Sequence, residues 1–170
     1  VDIRILYIDG LDVNSKDNSG KTALMYACES SQNWAVKKLL KVEGIDINTT
    51  DNLGKTALIY ASENRSEHAI YNLSRVEGID ANTKDNLGKT ALMYASENRS
   101  ELAIYYFLKI ERIDVNAKDY LGKTALMYAS ENGFDKIVKM FRKEYRKRRN
   151  DVNATDYYGK TALIYASENG

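Results

Sequence analysis

The chain has 170 residues, 44% of them hydrophobic and 29% charged, and 25 Lys plus Arg against 24 Asp plus Glu leave a net charge of +1. That balance excludes wholesale disorder and gives no overall field that would draw the protein onto a polyanion. The single cysteine, Cys28, excludes an internal disulfide, and no apolar run approaches the roughly 18 residues that a membrane-spanning helix needs. With no signal-peptide pattern after Val1, these features point to an intracellular, cytoplasmic setting.

From the N-terminus, Val1–Ile8 reads as the tail of a helix and Gly10-Leu11-Asp12-Val13-Asn14 as the junction after it. A turn follows at Asp17-Asn18-Ser19-Gly20, where glycine supplies backbone angles that other residues resist. Thr22 is placed to cap a first helix that begins Ala23-Leu24, and a second helix is expected over Trp34–Leu40. The junction Asp46-Ile47-Asn48 closes the unit, and the same order of elements then returns. Gly-Lys-Thr-Ala-Leu begins at Gly20, Gly54, Gly88, Gly122 and Gly159, in steps of 34, 34, 34 and 37 residues. Later second helices are expected over His68–Leu73, Leu102–Leu108 and Lys136–Phe141, and later junctions end at Asn82, Asn116 and Asn153. Leu24, Leu58, Leu92, Leu126 and Leu163 recur on one helix face and are expected to form a continuous apolar ladder. Ala27, Ala61, Ala95, Ala129 and Ala166 leave room for neighbouring helices to approach.

The run Asp85-Asn86-Leu87-Gly88-Lys89-Thr90-Ala91-Leu92-Met93-Tyr94-Ala95-Ser96, with Gly78-Ile79-Asp80-Ala81-Asn82 before it, resembles the ankyrin repeat, a unit of about 33 residues built from a β-turn and two helices. The likeness extends over essentially the whole chain. It departs consistently at two positions. The family's proline is alanine in every copy, and its histidine is Met25, Ile59, Met93, Met127 or Ile164. The resemblance implies an all-α fold, an ankyrin-repeat solenoid of stacked helix-turn-helix units joined by β-turn or hairpin loops. The units are a half repeat over 1–16, full repeats over 17–50, 51–84, 85–118 and 119–155, and a half repeat over 156–170. Neither end carries the polar outer face of a capping repeat, so the array is expected to continue in a longer protein or to pack on a partner.

The same resemblance implies a non-catalytic scaffold that needs no cofactor and binds a protein, not nucleic acid, through the turn tips and the inner face of the first helices. Carried over by position, the binding residues are Leu53, Lys55, Leu87, Lys89, Tyr120, Leu121, Lys123, Tyr157, Tyr158 and Lys160 at the tips. Glu63, Glu97 and Glu131 join them from the helices. The Lys and Glu ladders read either as binding determinants or as a mutually neutralising, solvated surface of little energetic weight. The tips grow more apolar along the chain, and exposed tyrosines bury much area with few torsions to freeze. The tyrosine inside each motif, Tyr26, Tyr60, Tyr94, Tyr128 or Tyr165, is expected to pack between helices.

Other features allow fewer readings. The lone histidine, His68, is expected on the surface, without the ligand set a metal requires. Cys28 shares a small-residue slot with Ser62, Ser96 and Ser130. The Gly-Lys-Thr triplets lack the first glycine and the buried strand of a phosphate-binding loop. An outer patch of Trp34, Tyr71, Leu102, Tyr105 and Tyr106 is unusual for a face that is ordinarily polar. Arg142, Lys143, Arg146, Lys147, Arg148 and Arg149 coincide with the long 37-residue step. They extend a second helix or its loop, where cations suit the negative end of the dipole. The alternatives to a protein-binding scaffold are nucleic-acid or anionic-surface binding through residues 142–149, or regulation of an enzyme domain elsewhere in a larger protein.

Overall fold

The computed structural model describes residues 11–148 and 151–169, without the side chains of Arg148 and Asn169. The helix tail expected over Val1–Ile8, the junction residue Gly10, and Arg149 lie outside the described residues. Among the described residues there are nine helices and no strand. First helices are α1 (Ala23–Glu29), α3 (Ala57–Glu63), α5 (Ala91–Glu97), α7 (Ala125–Glu131) and α9 (Ala162–Asn169). Second helices are α2 (Asn33–Leu39), α4 (Glu67–Leu73), α6 (Glu101–Phe107) and α8 (Asp135–Arg148).

Seven of these helices have only seven residues each, about two turns, and helices so short do not persist alone in water. They persist here by stacking. Each first helix packs on the next first helix and on its own second helix, while neighbouring second helices touch less closely. The stack therefore curves, with the first helices and turns on the inner side and the second helices on the outer side. The core is one continuous cluster. Leu24, Leu58, Leu92 and Leu126 are buried along the inner layer, and Leu39, Leu73, Phe107 and Phe141 fill one column of the outer layer. Each such side chain contributes about 1.5–3 kcal/mol by leaving water.

The apolar ladder stops short of its expected end. Leu163 is 79% exposed and Ala166 is also exposed, because no second helix among the described residues covers that face of α9. Thr22, Thr56, Thr124 and Thr161 cap their helices as expected, each hydroxyl accepting from the amide three residues on. Of the two readings of the basic segment, an extended second helix or a loop, the described residues take the helix. α8 has 14 residues where the others have seven, and it runs to Arg148 because Glu144 and Tyr145 carry its buried side onward from Phe141. The hydroxyl of Tyr145 donates to the carbonyl of Val115 at 3.1 Å.

Candidate functional site

Each inner-side turn is organised by its aspartate. In the third repeat, Asp85 Oδ1 accepts the amides of Leu87 and Lys89 at 2.9 and 2.8 Å, and Oδ2 accepts the Tyr94 hydroxyl at 2.6 Å. The same three bonds recur at Asp17, Asp51, Asp119 and Asp156. At Asp17 the Tyr26 hydroxyl leads the donors that hold the carboxyl well below its ordinary range. Burial pushes Asp156 up, but Tyr165 and the amides of Lys160 and Tyr158 outweigh it, and the carboxyl ends below its ordinary value.

Neighbouring turns are stitched by backbone bonds from Asn52 to Ser19, Asn86 to Leu53, Tyr120 to Leu87 and Tyr157 to Leu121, at 2.9–3.1 Å. They lie so close that a Cβ on Gly88 would fall 2.7 Å from the amide nitrogen of Tyr120. The outer-side junctions are clamped by asparagine. Asn82 donates to Arg112 O and accepts from Asp114 N, both at 2.8 Å, and Asn48 and Asn14 do the same one and two repeats earlier. At the fourth junction, where the long repeat begins, Asn116 Oδ1 is buried without a partner.

The Lys and Glu ladders form a single network. Lys21, Lys55, Lys89, Lys123 and Lys160 each pair with the glutamate eight residues on, at 2.6–2.8 Å. The first four ammonium groups also sit between two tyrosine rings, their own and that of the next repeat. Lys89 lies 5.0 Å from the Tyr94 ring centre and 4.5 Å from that of Tyr128, and Lys21 lies 5.2 Å from Tyr26 and 4.4 Å from Tyr60. Lys55 and Lys123 repeat the arrangement. A cation between aromatic faces is held by both ring quadrupoles, about 0.5–2 kcal/mol each. Side-chain exposures of 14%, 13% and 14% place Lys55, Lys89 and Lys123 in this network more than in solvent. Glu63, Glu97 and Glu131 keep 36–39% of their side chains exposed on the inner side.

Tyr60, Tyr94, Tyr128 and Tyr165 are buried between helices as expected, whereas Tyr26 is 45% exposed because no repeat among the described residues covers it. Burial, with the bond to Asp51, pushes the Tyr60 phenol up to about 12. For Lys21, burial pushes the ammonium down, but Glu29 and Tyr60 more than offset it. Sequence reasoning singled out the lysine and glutamate ladders and the motif tyrosines yet missed their connection. A signal was present, since a lysine, a glutamate, a tyrosine and an aspartate recur together in every unit.

What remains open to solvent on the inner side is the line of tips. Leu53, Leu87, Leu121 and Tyr158 are 56%, 62%, 50% and 73% exposed, and Tyr120 and Tyr157 stand beside the last two at 63% and 75%. The turns of Leu53, Leu87 and Leu121 are bonded to a neighbouring turn on both sides, and that of Tyr157 and Tyr158 on one. On the outer side Trp34, Tyr71, Leu102 and Tyr105 are exposed, and Tyr106 is half-buried with edge contacts to Tyr71 and Tyr105. His68 is exposed, and Cys28 is fully buried with its thiol pushed up to about 12. Arg142, Lys143, Arg146 and Lys147 are exposed on α8. Among the described residues no group of three or more His, Cys, Asp or Glu is gathered to hold a metal ion, and no helix is long and apolar enough to cross a membrane.

A family model described as ankyrin repeats (3 copies) matches the chain over residues 2–85, 35–119, 66–156 and 106–170. No curated protein matches it.

Proposed function

This chain belongs to the ankyrin-repeat family, whose members are generally protein-interaction modules, and on that premise we propose a non-catalytic scaffold that binds a protein through its inner side. The exposed tip line carries the reading. Leu53, Leu87, Tyr120, Leu121, Tyr157 and Tyr158 form an apolar row on turns bonded to their neighbours, and backbone already fixed loses little entropy when a partner covers it. Tyrosine adds a hydroxyl that can hydrogen-bond at the rim of a contact. Behind the row, the Lys–Tyr–Glu network serves as a stiff floor, and its half-exposed carboxylates at Glu63, Glu97 and Glu131 favour a partner with cationic groups flanking an apolar ridge.

The triple variant Tyr120→Ser, Tyr157→Ser, Tyr158→Ser tests this reading. It is expected to lose most captured partner in a pull-down, by tenfold or more in affinity at about 1.4 kcal/mol per decade, with unchanged helical circular dichroism. Undiminished capture by a folded variant would remove the tips from the binding face.

A further inference from the structure

The outer side carries a second cation ladder, and it differs from the inner one. Lys41, Arg75, Lys109 and Lys143 stand 34 residues apart, at the same position of successive repeats near the C-terminal ends of α2, α4 and α6 and within α8. All four are exposed, and among the described residues none has an ion-pair partner, whereas every inner lysine has one. The helix dipole accounts for a cation at such a place. It does not account for the aromatic groups one turn earlier. The Tyr71 ring centre lies 5.2 Å from the Arg75 guanidinium and that of Tyr105 lies 5.3 Å from the Lys109 ammonium. Trp34 and Leu102 continue the apolar part of the face at 43% and 50% exposure. On α8 the face widens into further exposed cations at Lys139, Arg142 and Arg146. Glu43, Glu77 and Glu111 stand two residues beyond the first three rungs and Glu144 is buried beside the fourth, but the cations of α8 leave the face with an excess of positive charge. Glu67, Glu101 and Asp135 lie at the opposite helix ends, and Glu101 is taken by Lys136.

We propose that this outer face docks on an anionic lipid surface. Helices packed side by side at about 8–10 Å form a broad, outward-curved face some 30 Å wide, which a deformable lipid surface can follow across all four rungs and a strand-shaped ligand cannot. Tryptophan, tyrosine and leucine gain by entering the boundary between headgroups and acyl chains, and lysine and arginine reach anionic headgroups from the same depth. A nucleic-acid backbone would use the cations but gives no reason for an exposed Leu102.

The only tryptophan of the chain, Trp34, stands on this face and reports on it directly. Phosphatidylcholine vesicles with and without phosphatidylserine are mixed with the intact chain, and co-sedimentation and Trp34 emission are followed. The expected result is binding and a blue shift with phosphatidylserine only, weakening as salt shortens the Debye length below about 8 Å. Each neutralised cation is expected to lower affinity about fivefold. The variant Lys41→Gln, Arg75→Gln, Lys109→Gln, Lys143→Gln is expected to bind no vesicles while keeping its helical circular dichroism. The tip variant with three serines is expected to bind them as the parent does, which separates this face from the inner one. The proposal is overturned if phosphatidylserine vesicles leave the chain in solution, if the folded quadruple variant still sediments, or if an oligonucleotide shifts Trp34 where vesicles do not.

Discussion

Replacing Gly88 by alanine is expected to destabilise the array by about 2–4 kcal/mol, against about 1 kcal/mol for Gly78→Ala. Both glycines hold left-handed backbone, at φ +76° and +81°. Each substitution therefore carries the same conformational cost of about 1–2 kcal/mol, offset by about 0.4–1 kcal/mol from a stiffer unfolded chain. Their surroundings differ. A Cβ on Gly78 meets nothing within 4 Å, while one on Gly88 lies 2.7 Å from the Tyr120 amide nitrogen and 3.1 Å from the Asp119 carbonyl carbon. Those atoms belong to the backbone of the next turn and cannot rotate aside. The two turns must part, which stretches the 3.1 Å bond from Tyr120 to Leu87 and adds an overpacking cost of about 1–3 kcal/mol. Urea unfolding followed by circular dichroism measures both variants. A difference within about 0.5 kcal/mol, the usual scatter between independent sites, would refute the claim that close approach of the turns demands glycine.

Asn82→Ala removes two bonds across a repeat junction and is expected to cost about 2 kcal/mol in urea unfolding. Asn116→Ala, whose Oδ1 has no partner, should cost distinctly less; equal losses would show that the clamp is not what holds the junction. Burial and the Asp51 bond raise the Tyr60 phenol, so the folded state releases its proton later than the unfolded chain. Stability from that group is complete below about pH 10 and lost as pH rises toward about 12. Phenolate absorbance of the folded chain should accordingly lag behind that of free tyrosine and rise together with unfolding. Cys28 is fully buried with its thiol raised to about 12, so a thiol reagent at neutral pH is expected to label the native chain at least about a thousandfold more slowly than the urea-unfolded one. Comparable rates would place Cys28 at the surface.

The fold was legible because its signal is repetition. Five copies of one string, 34 or 37 residues apart, fix turn, cap and first helix together. The leucines and tyrosines of the tips stand exposed at the positions read from the motif, whereas Lys55, Lys89 and Lys123 are drawn into the network behind them. The inner network was legible only as a recurring set of residues, because the contacts that join one unit to the next cross between repeats. Lys21 meets Tyr60, 39 residues on, and nothing in either local pattern says that the lysine of one turn lies on the ring of the next helix. The length of α8 was left between two readings, helix or loop, for another reason. Residues 142–147 are mostly charged and suggest a solvated end, yet Glu144 and Tyr145 alone suffice to keep the helix on the core. Leu163 shows the converse limit, since its motif matches those of Leu58 and Leu92 and only the neighbours differ.

The long fourth repeat has a consequence for how such a chain can change. Its three additional residues leave the inner side in step, because Tyr157 still bonds to Leu121 as Tyr120 bonds to Leu87. The extra length is taken up entirely in the outer layer, where α8 grows and Tyr145 reaches Val115 beside the unpartnered Asn116. Insertions at the outer ends of the hairpins can thus accumulate without disturbing the surface presented within the curve. One side of the molecule is free to vary in length and chemistry while the other keeps its spacing.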